Sequence, residues 1–335
     1  MTLLFAHIVP GAVILAADQR LTLQGGGRIW DEQSSKLVAI LCTDGAAVIG
    51  YTGLAYLRNL PTDEYIARLA IDLLAPGAHI PRSGTMIGGD RTPIRIATTL
   101  KTVIDKLHSQ VAKRNDEFTL IVAGQRRLKR RLWPFVSLID HLERHTSYPV
   151  MRGRSLTLQR WAMAGDTGVP DDLFAHYERS VAYGSSVLPD RHPIEISIRA
   201  MRDTFNHRHQ TTPTVGDSMH IAVIGANEIR LGMWAGPLWR NPGLAIPALP
   251  GAALPADLAA INANIYSPWV VSSQVVMPPA VMSAREIKTG AWYWDIVISE
   301  IMKSPPPPPV YGLSGFVLPP PTFSGWGPAK RRRAP

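Results

Sequence analysis

Apolar residues in this chain recur in blocks, each block keeping a single period, and that ordering narrows the possible folds more than any bulk property. Residues 2–9 and 12–18 read as two short strands joined by a turn at Pro10-Gly11. Ile29-Trp30, the run from Lys36 to Leu41 and the stretch from Gly45 to Gly53 add strand signals, the last dense in Ala and Val as a buried strand requires. Helical spacing then takes over from Leu57 to Leu74, with Thr62, Asp63 and Glu64 placed for a helix start and Tyr65, Ile66, Leu69, Ala70, Leu73 and Leu74 on one face. A second helix is expected from about Thr98 to Lys113. Strand character returns from Phe118 and from Trp133, with a basic cluster at the turn between them, and again at residues 159–165. Two more helices are expected over 171–187 and 193–207, and a strand pair from His220 and from Glu228, across a tight Ala226-Asn227 turn, closes the order. Strands, two helices, strands, two helices, strands: such segregated blocks predict an α+β fold with two packed sheets and helices outside, a four-layer αββα sandwich.

Beyond residue 240 the character changes. Pro and Ala dominate to 257, a mixed segment spans 258–303, and Pro305–Pro309 opens a Pro-rich, basic tail expected to be polyproline II or disordered. The expected organisation is therefore one domain over 1–240, a C-terminal extension over 241–303 and a tail over 304–335. The net charge of +9 permits an acidic partner. Much of the excess, however, sits in two clusters, Arg126–Arg131 and Lys330–Arg333, which read as solvated surface rather than a nucleic-acid interface. The lone Cys42 excludes an intramolecular disulfide and a Cys-based zinc site, suits a reducing compartment, and reads as a buried structural thiol. The apolar N-terminus has no basic leader and is broken by His7, Pro10 and Gly11, so it does not read as a signal peptide. No apolar run reaches the ~18 residues of a membrane span. A cytoplasmic protein is expected.

Thr2 stands directly behind Met1. If Met1 is removed, Thr2 gains a free α-amine beside its own hydroxyl, so that one residue carries both a nucleophile and a base. The stretch from Thr2 to the Asp18-Gln19-Arg20 triplet resembles the start of proteasome β-subunits and HslV, a family of N-terminal nucleophile (Ntn) hydrolases. The Ser34-Ser35-Lys36-Leu37 phrase resembles the segment carrying that family's catalytic lysine, two residues late, an insertion the Gly25–Gly27 bend can absorb. Gly50-Tyr51-Thr52-Gly53 is similar to its strand-to-helix turn. Phe118–Gly124, Trp161–Gly168 and Val215–Ile224 follow in the order of later family strands, so the resemblance covers about residues 2–235.

The resemblance implies Thr2 as nucleophile, Lys36 as the charge that stabilises the alkoxide and lowers the amine's pKa, Asp18 as its partner, and Arg20 as a brace for Asp18. Gly53 would offer its amide to the oxyanion, and Tyr51 would line the pocket for the residue preceding the cut bond. It also implies a peptide or protein substrate, no cofactor, and a ring or stacked homo-oligomer. Taken singly the same residues have blander readings: Asp18 and Arg20 a strand-end salt bridge, Lys36 a surface lysine, Gly53 a turn. The pattern also departs from the family. Gly165-Asp166-Thr167 replaces a Gly-Ser-Gly turn, leaving Asp166 or Thr167 to bond the amine, and Thr212 and Val215 fall where an Asp and a Ser are expected, with Asp217 and Ser218 close by. The alternative is accordingly a catalytically inactive Ntn scaffold that binds a partner through its extension. His207-Arg208-His209 offers two imidazoles with no third ligand at metal-site spacing. His141, Glu143 and His145 read as charged surface, and Gly84–Gly89 lacks the Lys-Ser/Thr of a phosphate loop.

Overall fold

A computed structural model describes residues 2–22, 29–31, 34–76, 85–86, 95–111, 118–128, 131–140, 160–212, 214–226, 228–235, 264–266, 268–272, 275–279, 281–283 and 292–299. The Gly25–Gly27 bend, the 141–145 stretch, Lys129-Arg130, the Asn227 position, Met1 and the tail over 304–335 lie outside these residues.

The first apolar run folds as the antiparallel hairpin β1 (Leu3–Val9) and β2 (Ala12–Asp18), with Leu4 opposite Ala17 and Val9 opposite Ala12. The short strands β3 (Leu21–Thr22) and β4 (Ile29–Asp31) pair with each other. They lead to β5 (Leu37–Cys42) and β6 (Gly45–Thr52), a second hairpin whose strand residues are all buried. Next come β7 (Tyr56–Leu57), β8 (Leu60–Pro61) and helix α1 (Thr62–Leu74). The helix begins at Thr62, the start that Thr62-Asp63-Glu64 marks in the sequence. Arg58 and Asn59 turn left-handed (φ 51° and 64°), closing a tight β7–β8 pair just ahead of it. β9 (Thr85–Met86), α2 (Ile96–Val111), β10 (Thr119–Leu128) and β11 (Arg131–Asp140) follow. Arg126, Arg127 and Arg131 belong to the strands of this long hairpin rather than to its turn. β12 (Trp161–Gly165), α3 (Pro170–Val187) and α4 (Pro193–Thr211) precede β13 (Met219–Gly225) and β14 (Glu228–Trp234).

The mixed segment over 258–303 contributes strands to both large sheets. It supplies β15 (Asn264–Tyr266), β16 (Trp269–Ser272), β17 (Val275–Met277), β18 (Val281–Ser283) and β19 (Trp292–Ser299). β15 and β18 pair with each other. β16 lies parallel to β5, Trp269 opposite Val38, and β19 lies antiparallel to β14. Two large sheets result, ordered β12-β1-β2-β13-β14-β19 and β11-β10-β6-β5-β16-β17-β9.

Alternation along the strands sorts their side chains into three cores. Leu4, Ala6, Val13 and Leu15 of the first sheet meet Leu37, Ala39, Val48 and Ile121 of the second. Val38, Ile40, Ile49 and Leu120, on the other face of the second sheet, pack under Ile66, Ala70, Leu100 and Val103 of α1 and α2. Leu3, Phe5, Ile14 and Ile221 pack under Leu173, Tyr177, Ile198, Met201 and Phe205 of α3 and α4. The fold is α+β, as the block order predicted. Cys42 is buried in the α1/α2 core against Thr99; burial pushes its thiol up to about 12, and the Thr99 hydroxyl offsets only part of that. No helix among the described residues is long and apolar enough to cross a membrane.

Candidate active site

Antiparallel pairing of β1 with β2 brings the start of the chain beside the end of β2, and Asp18 is where the two meet. Its Oδ1 accepts hydrogen bonds from the Leu3 amide (3.1 Å) and from Lys36 Nζ (2.9 Å), and its Oδ2 accepts from the Gly216 amide (2.9 Å). Lys36 also donates to the Arg20 carbonyl (2.5 Å). Both members of the ion pair are essentially without solvent contact. Two charges withdrawn from water are costly unless paired and fully hydrogen-bonded, and here backbone groups of three segments complete the pairing. The surface-lysine reading of Lys36 is thereby overturned.

The Leu3 amide belongs to the peptide that joins Thr2 to Leu3, so Asp18 fixes the Thr2 main chain as well as Lys36. A second contact holds it from the other side. The Thr2 carbonyl accepts from the Asp166 amide (2.9 Å), just past the end of β12. Gly165 makes that approach possible: its φ is +85°, and a Cβ there would lie 1.6 Å from the Thr2 carbonyl oxygen. Thr2 is buried, with 4 % of its surface exposed.

Arg20 Nη1 donates to the Val215 carbonyl (3.2 Å), on the loop whose Gly216 amide binds Asp18. Asp166 accepts Arg208 Nη2 at 2.5 Å on Oδ1 and the Thr214 hydroxyl on Oδ2, while its carbonyl accepts Arg208 Nε (2.9 Å). Partial burial raises the Asp166 pKa, but the Thr214 and Arg208 hydrogen bonds and the Arg208 charge outweigh it and hold the carboxyl below its ordinary value. The Thr167 hydroxyl donates to the Gly168 carbonyl (3.4 Å) within its own loop.

Gly53 follows β6 in an exposed, left-handed conformation (φ 105°). Behind it, the Thr62 hydroxyl donates to the Leu54 carbonyl (2.8 Å), tying the start of α1 to this turn. Tyr51 is buried in the α1/α2 core; its hydroxyl donates to the Ser35 carbonyl (3.2 Å), its amide to the Lys36 carbonyl (3.3 Å), and its ring stacks on Phe118. Tyr51 thus braces the backbone on both sides of the lysine's position.

Thr2, Asp18 and Lys36 meet in one cluster, with Arg20 beside it and Asp166 behind Thr2. Thr214, Gly216 and Arg208 complete the setting and were not singled out from sequence. The only hint was the place of Thr214 and Gly216 between α4 and β13, in a region that departs from the expected Asp and Ser, with Arg208 in the last turn of α4. His207 stacks on His176 (centroids 4.2 Å apart), whereas His209 Nδ1 donates to the Val215 carbonyl (2.7 Å), so the two imidazoles serve different contacts. Among the described residues no group of three or more His, Cys, Asp or Glu could hold a metal ion.

No protein-family model matches the chain, and no curated protein matches it in sequence. Among solved structures it is similar to an Anbu (Gly-1) mutant from Hyphomicrobium sp. strain MC1, at 12 % identity and a TM-score of 0.40, over 67 % of this chain and 82 % of that one. It is similar to Anbu (ancestral beta-subunit) from Yersinia bercovieri at 14 % identity and a TM-score of 0.39, over 66 % and 80 % of the two chains. It is also similar to eukaryotic HslV from Trypanosoma brucei at 12 % identity and a TM-score of 0.36, over 67 % and 99 %.

Proposed function

We propose that this chain is an N-terminal threonine hydrolase of peptide (amide) bonds, built on a four-layer αββα Ntn-hydrolase sandwich, with Thr2 as nucleophile once Met1 is removed. The observation that carries the proposal is the buried Lys36–Asp18 pair, whose carboxylate also binds the amide next to Thr2. A lone buried ion pair is a poor source of stability, so its place against the Thr2 backbone argues for chemistry.

In the proposed reaction the Thr2 hydroxyl oxygen attacks the substrate carbonyl carbon, and its proton passes to the Thr2 α-amine, directly or through water. The Lys36 ammonium stabilises the developing alkoxide, and the Gly53 amide faces the oxyanion. The C–N bond then breaks, the leaving amine takes the proton, and water hydrolyses the ester left on Thr2. Arg20 and Asp166 act as supports, holding the 214–216 loop and the Thr2 carbonyl. Tyr51, expected to line the pocket for the residue before the cut bond, instead supports the site from the α1/α2 core by bracing the backbone around Lys36. With this function go a cytoplasmic location, no cofactor, and a ring or stacked homo-oligomer, which light scattering on the purified protein would establish or exclude.

The test is intact mass before and after incubation with a peptide epoxyketone, which needs both the free amine and the hydroxyl of an N-terminal threonine to close its ring adduct. Loss of Met1 and a stoichiometric adduct on Thr2 are expected. Retained Met1 in native protein sinks the mechanism. The burial of Thr2 favours a second reading, an inactive scaffold that binds a partner through its extension. Processed but unreactive protein in its assembled state would support that reading instead.

A further inference from the structure

Two polar side chains of the site's surroundings have no structural explanation. Gln19 and His220 are both fully buried. Among the described residues no hydrogen-bonding partner reaches Gln19 Oε1 or Nε2, or either ring nitrogen of His220.

Strand register places them together. His220 lies opposite Ala17, and alternation along β13 turns it toward the layer between the sheets, where Ala17, Ala222 and Ile224 pack. The Gln19 amide donates to the Ser218 carbonyl (3.2 Å), extending the β2–β13 ladder one residue beyond Asp18. Alternation from Ala17 then puts Gln19 on the same face, diagonal to His220. Lys36 is close enough for its charge to act on the imidazole. Burial first, and this charge second, push the His220 pKa down to about 3, so the ring is neutral at any working pH.

A buried polar group without a partner destabilises a protein, and an apolar residue of similar shape would serve packing better. Such violations collect at functional sites. A neutral imidazole offers one donor and one acceptor, and a primary amide offers both as well. That complement suits water, which binds internally where two to four polar groups converge.

We propose that Gln19 and His220 are positioning residues that hold buried water against the Lys36 ammonium, and that this water helps fix Lys36 toward Asp18 and Thr2. Its catalytic consequence rests on the proposed hydrolase function; the water site itself does not.

The test compares full-length wild type with His220→Leu, His220→Gln and Gln19→Leu. In histidine-labelled wild type, NMR cross-peaks between water and the His220 ring are expected. In lysine-labelled protein at fixed pH, the Lys36 Nζ/Cε resonance should move in His220→Leu and Gln19→Leu and return toward wild type in His220→Gln. Absent water contacts, or a Lys36 resonance unmoved in both leucine variants, overturn the proposal. Gln19→Leu keeps the test decisive if His220→Leu fails to fold. Epoxyketone labelling of Thr2 supplies the second arm: a loss of about fivefold to tenfold in rate is expected for His220→Leu, the size of one net hydrogen bond, with near wild-type rate for His220→Gln. Wild type that never reacts removes the hydrolase function, while the NMR arm still decides the water site.

Discussion

Asp18 is asked to do three things at once: neutralise Lys36, bind the Leu3 amide and bind the Gly216 amide. Removing it takes the paired carboxylate away from a buried ammonium. Asp18→Ala is therefore expected to lose about 3–5 kcal/mol of stability, read from urea unfolding midpoints, and to abolish Thr2 labelling. The paired replacement Asp18→Leu with Lys36→Met should recover much of that stability without recovering labelling, because the charges are removed together. Recovered labelling in the double variant would separate the pair from the chemistry. Gly165 supports a second expectation. Gly165→Ala puts a methyl group against the Thr2 carbonyl at a backbone angle that disfavours side chains, a strain of about 1–3 kcal/mol. Labelling should fall further than the melting temperature does, since the displaced atom belongs to the nucleophile's own peptide. Thr2, Asp18 and Lys36 could be picked out in the sequence because their spacing resembles a known family. Arg208, Thr214 and Gly216 could not, because their contacts to Asp166 and Asp18 cross about 40 to 200 positions of chain.

Helix α1 carries a titratable group in an unusual place. Asp63 sits in its first turn, buried, beside Trp269 of β16. Burial, and after it the Glu64 charge, raise its pKa from 3.8 to about 7, although hydrogen bonds from the backbone and from Trp269 pull the other way. The folded state thus holds this proton more tightly than the unfolded chain. Its contribution to stability is complete below the unfolded value of 3.8 and is lost as pH rises to about 7. The full span is worth at most about 4 kcal/mol. Asp63→Asn should flatten this fall, which is isolated by subtracting its unfolding free energies from those of wild type between pH 4 and 8. A difference that does not vary with pH would show that Asp63 titrates normally. His7 works in the opposite direction: burial first, then the Arg160 charge, lower it to about 4, so only the difference between the two proteins reports Asp63. The start of α1 also shows how far local signals reach. Thr62, Asp63 and Glu64 marked it correctly, whereas the β7–β8 pair before it, closed by the left-handed Arg58 and Asn59, left no local sequence signal.

At the scale of the whole molecule, the segment beyond residue 240 joins both sheets. β16 lies between β5 and β17, and β19 covers the edge of β14. A chain ended before Asn264 would expose the edge of β5, a fully buried apolar strand, and unpaired edges of that kind drive association. Loss of a cooperative melt and aggregation on size-exclusion chromatography are expected. A soluble truncation with an unchanged melting temperature would make these strands appendages. The chain's own order of periods determined the α+β class, the first hairpin, both helix pairs and the inward face of α1, because alternation and helical spacing are local and each was strong. Composition gave no such warrant for strands after 257, where short apolar pieces lie among Pro and Ala and no periodic run is long enough to declare a pairing. β16 gains its place from the parallel ladder it makes with β5, more than 200 residues away in sequence. The site divides in the same way. Which residues could react was written in their types and order, whereas the burial of Lys36 and the orphaned polarity of Gln19 and His220 arose only when two sheets closed over them.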